Sequence, residues 1–242
     1  MLAELFSLDA GGGGGDEEGL RVEVLGETFL VRLADSDTNE ARKTLFACHL
    51  WQGAVVLARH MGRASIDWAS SAVVEFGSGA GLPSMTAMVL GARQVVASDF
   101  SSEPVLRNLS SNIEATKEKL QLRGRPSDAV VVGHRWGDDV SPLLAANAGQ
   151  LFDLAIFAEC LWKHDQHVSL LASLRGVLAV GGTAIVAFSH HIPGLELQDL
   201  GFFAMAEELG FEEIFAEETV APHMWKAADN VTIYIRHLRR IR

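Results

Sequence analysis

The chain has 242 residues, of which 48% are hydrophobic and 21% charged, with a formal net charge of −11. That length suits one α/β domain with a full core and is short for two domains of ordinary size. The acidic balance excludes a surface built to neutralise phosphates, because nucleic-acid binders gather Lys and Arg on one face, and it suits a basic protein partner. The cluster Arg236, Arg239, Arg240 and Arg242 reads as a solvated strand end.

At the amino terminus, MLAELFSLDAGGGGG lacks the basic start and sustained apolar segment of a secretory signal, and no apolar run reaches the roughly 20 residues that span a bilayer. A soluble, cytoplasmic protein without membrane contact is expected, with a monomer favoured. Residues 1–19, which include GGGGGDEEG, have little to bury and predict a flexible tail, leaving 20–242 as a single domain. LRVEVLGETFLVRL alternates about Gly26-Glu27 and predicts a hairpin. From Thr44 to Met61 apolar residues recur at helical spacing, which predicts a helix. Hairpin and helix together form an amino-terminal cover.

The remainder alternates strand and helix. VVEF is followed by a helix from about Pro83 to Leu90, stopped by Gly91; RQVVASDF by a helix over EPVLRNLSSNIEATKEKL; then come the strands AVVVGH and FDLAIFAE. A helix over HVSLLASLRGVL precedes the strand GGTAIVAFSHH, with Gly181-Gly182 as the intervening turn, and DLGFFAMAEELGF predicts the last helix. EEIFAEETV and NVTIYIRHL follow with no helix between them and predict an antiparallel hairpin. The expected fold is α/β, Rossmann-like, with a doubly wound, mostly parallel seven-stranded sheet whose last strand is antiparallel.

The segment Val73–Gly81, VVEFGSGAG, describes a nucleoside-binding loop. Gly77, Gly79 and Gly81, with Ser78 between them, let the backbone turn sharply and approach a ligand. Asp99, at the tip of the next strand and followed by Phe100, is placed to accept hydrogen bonds from ribose hydroxyls. A dinucleotide fingerprint would carry its third glycine one position later, at Leu82, and would not need Glu75 two places before the first. The pattern E-x-G-x-G-x-G resembles the first motif of S-adenosylmethionine-dependent methyltransferases, in which Glu75 answers the cationic amino-acid end of that cofactor.

Further motifs extend the resemblance: Trp51 in HLWQGAVVLA, Arg135-Trp136-Gly137 after the third strand, AECLW after the fourth and FSHHIPG after the fifth. Together they are similar to the seven-strand protein methyltransferases sometimes called family 16. The last two pieces most resemble the fungal branch first labelled nicotinamide N-methyltransferases and later recognised as acting on the amino-terminal region of translation elongation factor 1A. That resemblance implies transfer of methyl to a lysine or amino-terminal amine. It places Trp51 beside the methionine part of the cofactor, Trp136 on the adenine ring and Ala158 against the adenosine.

Glu159 and Trp162 lie just beyond the fourth strand, where open α/β sheets place their chemistry. A carboxylate and an aromatic ring there suit an incoming ammonium. The family usually has Asp-x-x-Tyr or Asp-x-x-Phe at these positions, so E-C-L-W departs at both ends. A second reading makes Glu159 a cap on the helix that follows. His191 is a substrate-site candidate, whereas His134, His164 and His167 read as loop or helix-start residues. Cys48 and Cys160 read as buried thiols with no metal-ligand spacing, so no metal is implied. Competing functions are a small-amine methyltransferase of the nicotinamide type, a catalytically idle cofactor-binding protein and, more remotely, a dehydrogenase.

Overall fold

A computed structural model describes residues 9–10, 19–34, 48–223 and 229–242. Most of the expected tail lies outside these residues. Within it, β1 (Asp9–Ala10) pairs antiparallel with β2 (Leu20–Val24). β2 and β3 (Glu27–Val31) form the expected hairpin, but its turn is Leu25-Gly26, one residue earlier than expected. Both turn residues have positive φ, 56° and 76°, the geometry of a two-residue turn that matches strand twist. Gly26 adopts it freely; Leu25 is strained there.

Of the helix expected from Thr44 to Met61, residues 44–47 lie outside the described ones, and the described helix begins at Gln52. α1 spans Gln52–Met61, while Trp51 is extended, with ψ 143°, and has no side-chain cap of its own. Beyond a short turn, β4 (Ala72–Phe76), α2 (Leu82–Val89), β5 (Gln94–Asp99), α3 (Glu103–Leu122) and β6 (Ala129–Gly133) follow as βα units. A five-residue helix, α4 (Ser141–Ala145), was not foreseen. β7 (Phe152–Ala158), α5 (His167–Val177), β8 (Leu178–Phe188), α6 (Glu196–Glu208), β9 (Phe211–Pro222) and β10 (Asn230–Arg240) complete the domain. β8 starts earlier than Gly181, so Gly181-Gly182 is an irregularity inside the strand and not a turn before it. The register against β7 slips there, and a Cβ on Gly182 would stand 2.9 Å from the carbonyl oxygens of Ala179 and Asp153.

The seven-stranded sheet has the order β6-β5-β4-β7-β8-β10-β9. β10 runs antiparallel to both β8 and β9, and the other pairs are parallel, as expected. Alternate residues feed two cores. Val73, Ile156 and Ile185 pack with α1, α2 and α3 on one face; Val74, Phe157 and Val186 pack with α5 and α6 on the other. The hairpin cover is held to α3 by polar contacts as well. Glu27 pairs with Lys119 and Arg123, which hold its carboxyl below the usual range. Asn112, buried on α3, accepts from Arg32 N at 3.0 Å and donates to the carbonyls of Arg32 and Ala80, tying the cover to the glycine loop.

The direction of winding reverses between β4 and β7, so the loops after these two strands part and leave a crevice at the carboxyl ends. Among the described residues, no helix is long and apolar enough to cross a membrane.

Candidate cofactor and acceptor site

The crevice holds a cavity of about 830 Å³. Its floor is the glycine loop, where Gly77 and Gly79 have φ of 64° and 53°. A Cβ on Gly77 would lie 2.8 Å from Cys160 Sγ and 3.3 Å from the Trp136 ring, so only glycine permits the approach of these walls. Gly81 does not line the cavity. Its φ of 83° starts α2, and a Cβ there would reach 2.5 Å from Leu109 Cδ1, which makes it a packing residue between α2 and α3. This corrects its expected role as a cofactor contact.

Asp99 closes the floor from β5. Its Oδ2 accepts from Gly79 N at 2.7 Å and its Oδ1 from Phe100 N at 2.6 Å. Each oxygen keeps one lone pair, the arrangement a vicinal diol can donate to. Phe100 is 57% exposed and forms part of the rim. Glu75 is buried below the loop, where Ser84 donates to its Oε2 from both N and Oγ. Burial pushes its carboxyl up to about 8, against the opposing pull of the Ser84 contacts.

Trp51, Trp136, Ala158, Glu159 and Trp162 also line the cavity, together with Ser78. His191 does not. It stands behind Trp51, with ring centroids 4.9 Å apart and edge to face, and its Nε2 lies 2.9 Å from Glu159 Oε2. Further lining residues of the loops were not among the sequence's site candidates, and they include the polar residues His134, Arg135, Lys163, Asp165 and Gln166. His134 does lie in the loop after β6 but is buried there, not exposed; its Nε2 lies 2.8 Å from Ser173 Oγ, and burial lowers its pKa. His167 is likewise buried, 2.7 Å from the Leu161 carbonyl. Its position after Trp162 had concealed this, since a helix start usually faces water. Of the two cysteines, Cys160 is buried and Cys48 only partly so.

Glu159 has an unusual backbone, with φ 54°, and turns its side chain back under the sheet end. Its Oε1 accepts from Gly53 N at 3.1 Å, in the first turn of α1, and its Oε2 accepts from Ser189 N at 2.9 Å. Ser189 Oγ lies within 3.2 Å of both oxygens. The carboxylate therefore does cap a helix, though not the one that follows it: it caps α1, more than a hundred residues earlier in the chain. Gly53 has to be glycine for this, because a Cβ would fall on the carboxylate. These contacts leave Glu159 little capacity for an incoming ammonium, which corrects its expected role as the free acid of the acceptor pocket.

The sequence pattern of the lysine methyltransferase family matches residues 34–209. This chain belongs to that family. A relative from Gibberella zeae, named protein N-terminal and lysine N-methyltransferase EFM7, is 32% identical over 196 residues, covering 77% of this chain and 72% of that protein. The protein of the same name from Eremothecium gossypii is 35% identical over 176 residues, covering 72% of this chain and 66% of that one. In fold, the chain resembles a putative RNA methyltransferase from Pyrococcus horikoshii, with a TM-score of 0.54 at 16% identity, covering 78% of this chain and 83% of the other. At that identity the likeness speaks for the architecture alone, and the architecture is the one expected of a family member.

Proposed function

We propose that residues 20–242 form one catalytic domain, a protein N-methyltransferase that uses S-adenosylmethionine and acts on a lysine or an amino-terminal amine. The observation that carries this reading is the Asp99 carboxylate, held by the glycine loop with one open lone pair on each oxygen, at the floor of a cavity bounded by tryptophans. The residues present fit the cofactor. Gly77 leaves a cradle that a Cβ would fill, Asp99 faces where ribose hydroxyls would donate, and Glu75 lies where the amino-acid end would be answered. When bound, S-adenosylmethionine supplies a methyl group already activated by its sulfonium. The chain's own task is to hold the acceptor amine in line and exclude competing water. Trp162 offers its ring to the acceptor, and a lysine with a reference pKa near 10.4 has to lose its proton before attack. Glu159 and His191 act as positioning residues that fix Trp51 and the start of α1.

The relatives are named for amino-terminal and lysine methylation, which supports a protein acceptor over nicotinamide. A basic acceptor segment complements the net charge of −11, and translation elongation factor 1A is the acceptor we infer. The cytoplasm is where such a substrate would be met. Incubating the purified protein with radiolabelled cofactor and lysate from cells lacking it tests the reading. A single labelled protein band of the factor's size is expected. Label confined to the small-molecule fraction would favour a nicotinamide-type acceptor, and cofactor binding without transfer an idle fold.

A further inference from the structure

Among the described residues four carboxylates line the cavity, and three of them hold backbone or side-chain donors from elsewhere in the domain. Glu75 is bonded to Ser84 beneath the glycine loop. Asp99 holds Gly79 and Phe100, and Glu159 holds Gly53, Ser189 and His191. The fourth, Asp165, differs from the rest. It sits in the short turn His164–Gln166 at the cavity mouth, its side chain is 64% exposed, and its partners are side chains from the same loop. Lys163 Nζ lies 3.0 Å from Oδ1, and Gln166 donates from Nε2 to Oδ2 at 3.1 Å. The Gln166 amide and Lys163 together hold the Asp165 carboxyl below its usual range, so it remains an anion at neutral pH. The same Lys163 ammonium stands over the Trp162 ring, 5.9 Å from its centroid.

A primary ammonium held between a carboxylate and an indole face is the arrangement by which proteins recognise alkylammonium groups. Here the ammonium belongs to the chain itself, and it lies beside the cavity that the acceptor must enter. An exposed ion pair on a long, flexible stem is weak and exchanges readily. From this geometry we propose that Trp162 and Asp165 form the seat for the acceptor's ammonium group, and that Lys163 fills this seat in the resting enzyme and is displaced when the acceptor arrives. The inference rests on the amine-methyltransferase reading for its purpose, whereas the seat itself requires only a cation.

Two consequences follow. The acceptor's apparent affinity is reduced by the fraction of time that Lys163 occupies the seat. The displaced Lys163 ammonium keeps its charge and stays near the mouth, so the seat exchanges one cation for another and only a charged acceptor group can take the place of Lys163 on Asp165. Cationic acceptors are therefore favoured over neutral ones such as nicotinamide.

A titration that needs no acceptor protein tests the seat. The indole N–H signal of Trp162, assigned by Trp162→Phe, is followed by NMR as n-butylammonium chloride is added, with n-butanol as the neutral control. Removing the internal competitor in Lys163→Met, or equally in Lys163→Gln, should tighten n-butylammonium binding by about three- to tenfold relative to the native protein. Adding Asp165→Asn to Lys163→Met should reduce it to the level of n-butanol. Equal responses to the two probes in Lys163→Met, or a response at tryptophans other than Trp162, would overturn the proposal.

Steady-state kinetics with elongation factor 1A then separate the seat from the function. KM should fall in Lys163→Met and rise in Asp165→Asn, with the Kd for S-adenosylmethionine unmoved in both. KM values that move together, or not at all, would refute the seat while leaving the enzyme reading intact. A native protein that binds n-butylammonium as expected yet transfers no methyl to the factor would refute the acceptor assignment and keep the seat.

Discussion

Replacing Glu159 by alanine separates its capping role from a catalytic one. The carboxylate is the partner of two backbone donors, Gly53 N at 3.1 Å and Ser189 N at 2.9 Å, and is 94% buried by its residue exposure of 6%. Leaving a buried donor unpaired costs about 1–3 kcal/mol, so two would cost about 2–6 kcal/mol. Water from the adjoining cavity can enter the space that the side chain leaves, which places the expected loss near the lower end, about 2–3 kcal/mol. For a chain of this length each kcal/mol lowers Tm by roughly 2–4 °C, giving a fall of about 4–12 °C. Circular dichroism during thermal unfolding measures that fall, and turnover per folded molecule, taken well below the new Tm, measures the rest. The positioning role predicts a loss in both quantities, because the start of α1 and Trp51 shift together. Unchanged stability alongside abolished turnover would refute the capping argument and return Glu159 to direct contact with the acceptor.

Asp99→Ala should weaken S-adenosylmethionine binding by roughly tenfold to a hundredfold, the equivalent of about 1.5–3 kcal/mol; unaltered affinity by calorimetry would place the ribose elsewhere. Glu75, pushed up to about 8 in the ligand-free protein, is largely protonated at pH 7, and a cationic ligand group beside it would draw the pKa down. Cofactor binding at pH 7 should therefore release a proton, seen as a binding enthalpy that varies with the ionisation enthalpy of the buffer, and Glu75→Gln should abolish that variation. His237 is lowered to about 4, by burial first and then by His60, whose Nε2 is 2.8 Å away. A histidine kept neutral in the fold contributes its full stability above about pH 6.5, its ordinary value, and loses it as pH falls towards 4. Urea unfolding of His237→Gln across that interval should show a shallower decline than the native protein, and parallel curves would contradict the sign.

The features legible in the sequence were those that local rules determine. Apolar runs bounded by glycine became strands, and the absence of a helical pattern between Pro222 and Asn230 foretold the antiparallel closing pair. The glycine loop and Asp99 could be read because phosphate-free nucleoside binding requires both close backbone approach and a carboxylate at fixed spacing. What could not be read depends on contacts remote along the chain. Nothing local to Glu159 shows that its oxygens end at Gly53, and nothing local to Gln52 marks it as the start of the described helix. Asn112 looks like one more polar position on an amphipathic helix until its amide is found between Arg32 and Ala80. Lys163 and Asp165 were hidden for the opposite reason: charged loop residues are usually solvated, and only their position at the cavity mouth sets them apart.

The strand order carries a lesson about synthesis. β9 precedes β10 in the chain, yet it reaches the sheet only through β10, which lies between it and β8. On a ribosome, a nascent chain that has just delivered Pro222 has nowhere to put those twelve residues, and the rim of β8 stays unpaired. The interval is brief in residues but exposes the part of the molecule most prone to wrong strand pairing. A stop codon between the two strands would make that interval permanent. Such a truncation would leave the glycine loop and Asp99 intact and still produce a protein that aggregates, a loss of function with no altered residue in the site.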